Sequence, residues 1–496
     1  MKKIIRFFFA AAAACVMAAS CDALDIMQDN KLSASNMWQD ENDVLTSTYG
    51  IYYLMRACFV ENYTNVFYWG EARVGNYMWG PSLENRVQNS DMIDVRLSQM
   101  NASTESTAWS KLYAAIDQAN SVLKYAPTVP MSESARRCAI GQASFARAYC
   151  YFWAVRLWGD VPLNLLPVES TTQPETYPER APKEEVYRQI GLDIEQAVEY
   201  GDDLGKEKYF ATKDAANMLK AEYALWMYST QGGDNSYLDM AEEALDAIGI
   251  GSSKLLADYG KIFDRENKKN TEVVFALNNN QTEKLTGGYY WYFYMAGANV
   301  ATQFQQNPVP IYATQWWSYS QQFVDVLVAS KQDNGDSRVD TNLGMGAYGE
   351  GDGRILTWPN KFLGDRSVNP TIFDCDLLYY RYAQAVMMHA ELKFYRKDYS
   401  AALKSLNIIA KRAYGRDNFY SDSSREAILQ ALTDEYFLEF PCEGVIWWAL
   451  IRLDKIWDYN PELLVKKANN PNILLWPISR SAINKNNKLR QTEGWS

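Results

Sequence analysis

The chain has 496 residues, a formal net charge of −11 and 14% aromatic residues. That length exceeds one ordinary core and calls for two or more structural units. The acidic balance, with no Lys/Arg-rich run beyond the extreme N-terminus, argues against nucleic acid and anionic membrane surfaces as partners.

In chain order, "MKKIIR" reads as a basic n-region and "FFFAAAAACVMA" as an apolar h-region too short to span a bilayer. "AASC", Ala18 to Cys21, then sets small residues before a cysteine, in the manner of a bacterial lipobox. This predicts a lipoprotein signal peptide over residues 1–20 and Cys21 as the lipid anchor; a plain signal peptide cut nearby is the alternative. No later stretch reaches about 18 consecutive apolar residues, so no transmembrane helix is expected. Cys58, Cys138, Cys150, Cys375 and Cys442 remain. Their number is odd and none sits at CxxC spacing, so they read mostly as small buried hydrophobes.

Amphipathic helical stretches dominate the rest. "TAWSKLYAAIDQANSVLKYAP" carries Trp109, Leu112, Tyr113, Ile116, Ala119, Asn120 and Leu123 on one stripe, ended by Pro127 and Pro130. "SESARRCAIGQASFARAYCYFWAVRLWGD" is a longer helix stopped by Gly159 and Pro162. "PKEEVYRQIGLDIEQAVEYGDD" opens with proline and acidic residues, and "TKDAANMLKAEYALWMYSTQGG" closes on paired glycines. "SYLDMAEEALDAIG" follows; much later come "YRYAQAVMMHAELKFYRKD" and "YSAALKSLNIIAKRAYG". These read as tetratricopeptide-like helix pairs, so the fold class is mainly α. The helical scaffold is expected over about 21–254 and 377–496. The span between, about 255–376, is rich in Gly, Asn, Gln and aromatics with little helical periodicity. It reads as an irregular insertion carrying the binding surface. "NYTNVFYWGEARVGNYMWGPS", Asn62 to Ser82, is a second irregular aromatic stretch.

Three segments resemble the SusD-like (RagB/SusD) family of outer-membrane lipoproteins. "ASFARAYCYFWAVRLWGDVPL", Ala143 to Leu163, is close to the family's "RA-Y-YF-L---YGDVPL". "ALTDEYFLEFPCEGVIWWALIR", Ala431 to Arg452, is similar to "ER--EL-FEG-RWFDL-R". "LWPISRSAINKNNKLRQTEGW", Leu475 to Trp495, is similar to the closing "L-PIP--E---NP-L-QNPGY". The start, "CDALDIMQDNKLSASNMWQDENDV", fits as well, so the resemblance spans nearly the whole chain as one unit over 21–496. It departs at Asp434-Glu435, Ile446 to Ala449 and Thr492 to Gly494, positions that read as scaffold. The resemblance implies about four tetratricopeptide-like pairs and a surface-exposed, lipid-anchored protein of the cell outer membrane. It implies a glycan-binding protein that is not an enzyme and needs no cofactor. The implied partner is a SusC-like TonB-dependent transporter that receives the glycan.

Sugar rings offer C–H faces that stack on aromatic rings, and hydroxyls that need directed polar partners. Both are supplied in the irregular stretches. Trp69, Tyr77 and Trp79 lie beside Arg73 and Asn76; Tyr289, Tyr290, Trp291 and Tyr292 lie near Asn299 and Gln303; Trp316 and Trp317 lie near Gln315 and Gln321. The candidate ligand-binding set is Trp79, Tyr77, Arg73, Asn76, Tyr290, Trp291, Tyr292, Trp316 and Trp317. Alternate side chains of an extended segment face opposite ways, so about half of these rings should be core. Exposure is expected at Trp79, at Trp291 or its neighbours, and at one of Trp316 and Trp317. Trp153 and Trp158 are assigned to the core.

Other motifs carry less. "GMGAYG", Gly344 to Gly349, matches GxGxxG but follows no strand and reads as a flexible loop. "DNGDSRVD" lacks the ligand spacing of an EF-hand, and its Asp336 and Arg338 resemble a structural element of the family. No metal site is expected. His389, the one histidine, sits mid-helix, which disfavours imidazole catalysis. Glu435, Glu439 and Glu443 recur every four residues and read as a solvated or Arg-paired helix face rather than a glycosidase pair. A polysaccharide hydrolase, and the same scaffold with peptide or other nutrient cargo, are the alternatives.

Overall fold

The fold is known from a computed structural model that describes residues 37–60, 65–80, 90–283, 286, 292–294, 315–347, 355–368 and 371–495. Cys21, Tyr290 and Trp291 lie outside the described residues. The helices are α1 (Glu41–Phe59), α2 (Val66–Gly70), α3 (Ser90–Arg96), α4 (Ser110–Tyr125), α5 (Glu133–Trp158), α6 (Lys183–Glu199), α7 (Lys213–Thr230), α8 (Asn235–Ile248), α9 (Gln321–Asn334), α10 (Tyr382–Tyr395), α11 (Tyr399–Tyr414), α12 (Arg425–Glu439) and α13 (Ile446–Arg452), with several single turns besides. The strands are β1 (Tyr77–Trp79), β2 (Val273–Leu277), β3 (Trp317–Tyr319), β4 (Gly344–Ala347), β5 (Ile355–Trp358) and β6 (Leu377–Arg381). They pair only in twos, β1 with β3, β2 with β6 and β4 with β5, all antiparallel.

The long helices pack in pairs: α1 with α4, α5 with α6, α7 with α8, and α10 with α11. Their ends obey local chemistry. Ser132, Thr212, Asp398 and Ser424 each accept a backbone N–H of the first turn of the helix they precede. The C-terminal half of α5, Ala143 to Trp158, is buried throughout, so it reads as a hydrophobic run rather than a stripe. Around it Trp153 and Trp226 meet Trp448 edge-on at 5.5 and 5.8 Å. Cys58, Cys150, Cys375 and Cys442 are buried and Cys138 is half-buried. No described helix is long and apolar enough to cross a membrane.

The expected irregular insertion is more regular than its composition suggests. Gln321–Asn334 forms the 14-residue α9, capped by Ser320 and closed by Gly335 at φ +70. Its buried residues Phe323, Val324, Leu327 and Ser330 fall at helical spacing; polar residues elsewhere hide that stripe. The expected flexible loop at Gly344 is also corrected: Gly344 to Ala347 form β4, in register with Trp358 to Ile355.

The insertion is pinched at its base by β2 and β6, where Val273 faces Arg381 and Leu277 faces Leu377. A buried ionic cluster sits at that neck. Arg381 bonds Glu439 Oε1 (2.6 Å), Glu443 Oε2 (2.6 Å) and Glu272 Oε1 (3.0 Å). Arg338 bonds both oxygens of Asp336 (2.9 Å each), Glu435 Oε2 (2.6 Å) and Glu439 Oε2 (3.1 Å). Arg412 pairs with Glu272 and Glu439, and Lys361 with Glu443. Four cations thus face five carboxylates, nearly all of them wholly buried. The Arg-paired reading of Glu435, Glu439 and Glu443 holds, although α12 ends at Glu439 and Glu443 lies in the following turn. Burial alone would raise the pKa of Glu439, but Arg412, Arg381 and Arg338 hold it well below the usual carboxylate range.

Removing one partner of such a cluster strands the others in a dry interior. Arg381→Met is expected to lower stability by about 3–5 kcal/mol in denaturant unfolding at pH 7.5; a change under about 1 kcal/mol would show that the cluster contributes little. The contribution of Glu439 is present above its unfolded value near 4.5 and is lost as pH falls toward the depressed folded value.

Candidate functional site

The two irregular aromatic stretches meet. β1 comes from the first and β3 from the second, and they pair Tyr77 with Tyr319, Met78 with Ser318 and Trp79 with Trp317. The pairing continues past the strand, where Gly80 N–H donates to Trp316 O at 2.7 Å. Gly80 is required there, since a Cβ would lie 2.5 Å from the carbonyl oxygen of Gln315.

One face of this strand pair is core. Phe67, from α2, is its hub, with ring centroids 4.8 Å from Tyr77, 5.2 Å from Trp317 and 5.3 Å from Phe293. Tyr77 and Trp317 are both at most 1% exposed, so burial assigns these two of the candidate ligand residues to packing. Arg73 is likewise core. Its guanidinium lies over Trp447 at 4.6 Å and donates to the carbonyls of Ile473 (2.5 Å) and Leu474 (3.1 Å) and to Ser98 Oγ (3.0 Å). Burial lowers its pKa to about 9. It pins the C-terminal segment to the start of the site. Asn76 is buried, and its carbonyl accepts from Ser320 N–H at 2.8 Å.

Two further rings, one on each side of the strand pair, make up the rim: Trp79 opposes Trp317 and shares a side with Tyr77, and Trp316 lies on the other side. Trp79 and Trp316 are half-buried. Trp316 stacks on Tyr292, with centroids 4.2 Å apart and planes 8° from parallel, and the backbone N–H of Trp316 donates to Tyr292 O at 2.8 Å. Of the adjacent pair 316 and 317, one ring therefore points to the core and one to the rim, as extended backbone dictates. Beneath, Gln315 donates through Nε2 to Phe293 O and Thr357 O, both at 2.8 Å. Ser318 Oγ meets Thr357 Oγ1 at 2.7 Å, which ties β3 to β5. The sequence reading missed Thr357 and Phe67. Asn65 caps the short helix that carries Phe67, but all five of its residues are buried, so no stripe singles Phe67 out.

Glu71, also unforeseen, supports the rim from below. It accepts from the Tyr77 hydroxyl, from Cys442 N–H (2.7 Å) and from Gly444 N–H (2.8 Å). Burial pushes its pKa up to about 7, although the Tyr77 hydroxyl, these N–H groups and Lys361 pull it down.

The comparisons with known proteins agree with this architecture. A SusD-like profile described as "Starch-binding associating with outer membrane" matches residues 22–222, and the SusD family profile matches residues 249–495. The chain belongs to the SusD-like (RagB/SusD) family. It is 21% identical to SusD-like protein P38 of Formosa agariphila over 95% of each chain. Among solved structures it is similar to NanU of Bacteroides fragilis, at 25% identity and a TM-score of 0.77 over 94% of this chain and 100% of that one. A laminarin-binding SusD-like protein gives 19% identity and a TM-score of 0.73 over 92% and 100%. Surface glycan-binding protein A of Bacteroides thetaiotaomicron gives 16% and 0.71 over the same shares.

Because Glu71 holds its proton more tightly when folded than its unfolded value near 4.5, the stability it supports is full below that value. It is lost as pH rises through about 7. The parent is expected to lose about 1–2 kcal/mol between pH 6 and 8 that Glu71→Gln does not lose. Denaturant unfolding at the two pH values measures this, and equal losses in both proteins would refute it.

Proposed function

We propose that the chain is a glycan-binding lipoprotein of the outer membrane, anchored through Cys21, that captures oligosaccharide or polysaccharide for nutrient uptake and delivers it to a SusC-like TonB-dependent transporter. The observation that carries the reading is the rim of Trp79, Trp316 and Tyr292. Two stretches more than 200 residues apart in the sequence are held in register, and each contributes one flat, half-buried ring, Trp79 and Trp316, the latter backed by the buried ring of Tyr292. Such rings suit the C–H faces of sugars. Family membership and the printed names of the laminarin-binding and surface glycan-binding neighbours support it. Tyr290 and Trp291 are proposed to extend the rim, with Tyr77, Arg73, Asn76 and Trp317 supporting it from behind.

The hydrolase alternative loses its carboxylates. Glu435, Glu439 and Glu443 are held in the ionic cluster and face no open cleft as a pair.

Affinity electrophoresis or calorimetry against a polysaccharide panel, on a soluble chain beginning after Cys21, tests the reading. Trp79→Ala and Trp316→Ala are expected to weaken retention on the recognised glycan at least about tenfold, without released sugar and with folding intact. Trp317→Ala should instead cost about 3–5 kcal/mol of stability. Unchanged retention in both rim variants would overturn the site.

A further inference from the structure

Beside the strand pair and next to the ionic cluster, α9 and α12 line a pocket of about 420 Å³. That volume lies within the usual range for small-molecule sites, roughly 300–1,000 Å³. Its walls are rings. Phe323 comes from α9 and Phe437 from α12; Tyr459 packs on Phe437 with centroids 4.4 Å apart; Phe419 and Tyr420 close one end. Tyr420 is fixed by donating its hydroxyl to Glu435 at 2.6 Å, so the wall is braced by the ionic cluster.

The charged side chains among the described lining residues are of one sign. Asp434 and Asp333 line the pocket, and no Lys, Arg or His does. Arg416 stands outside the lining, over the Phe419 ring at 4.7 Å and donating to Asn334 O at 3.0 Å; its charge stays at that end, so the cation-accepting part of the pocket is the Asp434, Phe437 and Tyr459 end. Asp434 is half-buried and forms no ion pair among the described residues; Gln430 Nε2 donates to it at 2.8 Å and also reaches the Tyr459 hydroxyl at 3.4 Å. Burial pushes the pKa of Asp434 up to about 6, so above that value a carboxylate stands charged beside aromatic faces with no counter-ion. Asn76, also on the wall, is 7% exposed and its amide nitrogen has no partner among the described residues. That leaves a donor for a ligand oxygen.

We propose that this pocket is a second binding site, separate from the aromatic rim, for a small hydroxylated organic cation: a quaternary ammonium or protonated amine on a body no larger than a single sugar ring. Aromatic faces attract the cation through their quadrupoles, Asp434 supplies the opposite charge, and Asn76 can donate to the hydroxyl.

Choline and its neutral isostere 3,3-dimethylbutan-1-ol separate charge from shape, with glucosamine and glucose as a second pair. Calorimetry on the soluble chain at pH 7.5 should show choline binding at least about tenfold tighter than the neutral isostere. Asp434→Asn should remove most of that difference and leave binding of the neutral compound unchanged. Val326 lines the pocket yet is 46% exposed, so Val326→Trp should block the mouth without unfolding the chain, and abolish both. Equal binding of charged and neutral partners, insensitivity to Asp434→Asn, or no binding of any probe at about 10 mM would overturn the proposal. Glycan retention at the rim is read separately in the same variants and should not change.

Discussion

The buried ionic cluster at the neck of the insertion is the constraint on which the rest depends. Glu272 and Arg381 stand at the strand pair that closes the insertion, Asp336, Arg338 and Lys361 come from within it, and Arg412, Glu435, Glu439 and Glu443 come from the C-terminal scaffold. Each charge is costly to bury alone and tolerable only with its partners placed. All five N–H donors of Arg381 and of Arg338 are directed at neighbours in a rigid fork. The cluster therefore ties segments from the insertion and the C-terminal scaffold through directional bonds, and a displaced partner leaves a buried charge unpaired.

That tie is what a rim built from distant segments requires. β1 leaves the N-terminal scaffold and β3 leaves the insertion, and their register sets which side of the pair each ring takes, Trp79 beside Trp317 and Trp316 on the other side. Phe67 and Trp317 fill the space behind, Arg73 fastens the C-terminal segment, and Gln315 and Thr357 satisfy the backbone beneath. Binding by stacked rings needs little polar reorganisation, so a rigid frame with a pre-set aromatic surface suits it.

Much of the frame was legible in the sequence. The helices between residues 110 and 248 announce themselves by apolar stripes, capping residues and terminal glycines, and each lies within a few residues of its expected place. α9 escaped because a four-residue buried stripe is diluted by surrounding Gln, Ser and Asp. The site was legible by region and less so by residue. Arg73 was drawn to the ligand by its aromatic neighbours in sequence, but its partners Ile473 and Leu474 lie 400 positions away, a contact no local pattern encodes. Trp316 and Trp317 could be divided into one core and one rim residue by alternation, but which was which depended on pairing with β1.

The central claim is that carbohydrate stacks on the rim held by β1 and β3. A crystal structure of the soluble chain with an oligosaccharide from the recognised polysaccharide tests it most directly. The account predicts a sugar ring in van der Waals contact with Trp79 or with the Tyr292–Trp316 stack, and an unchanged β1–β3 register. A sugar bound elsewhere, with these rings uncontacted, would contradict it.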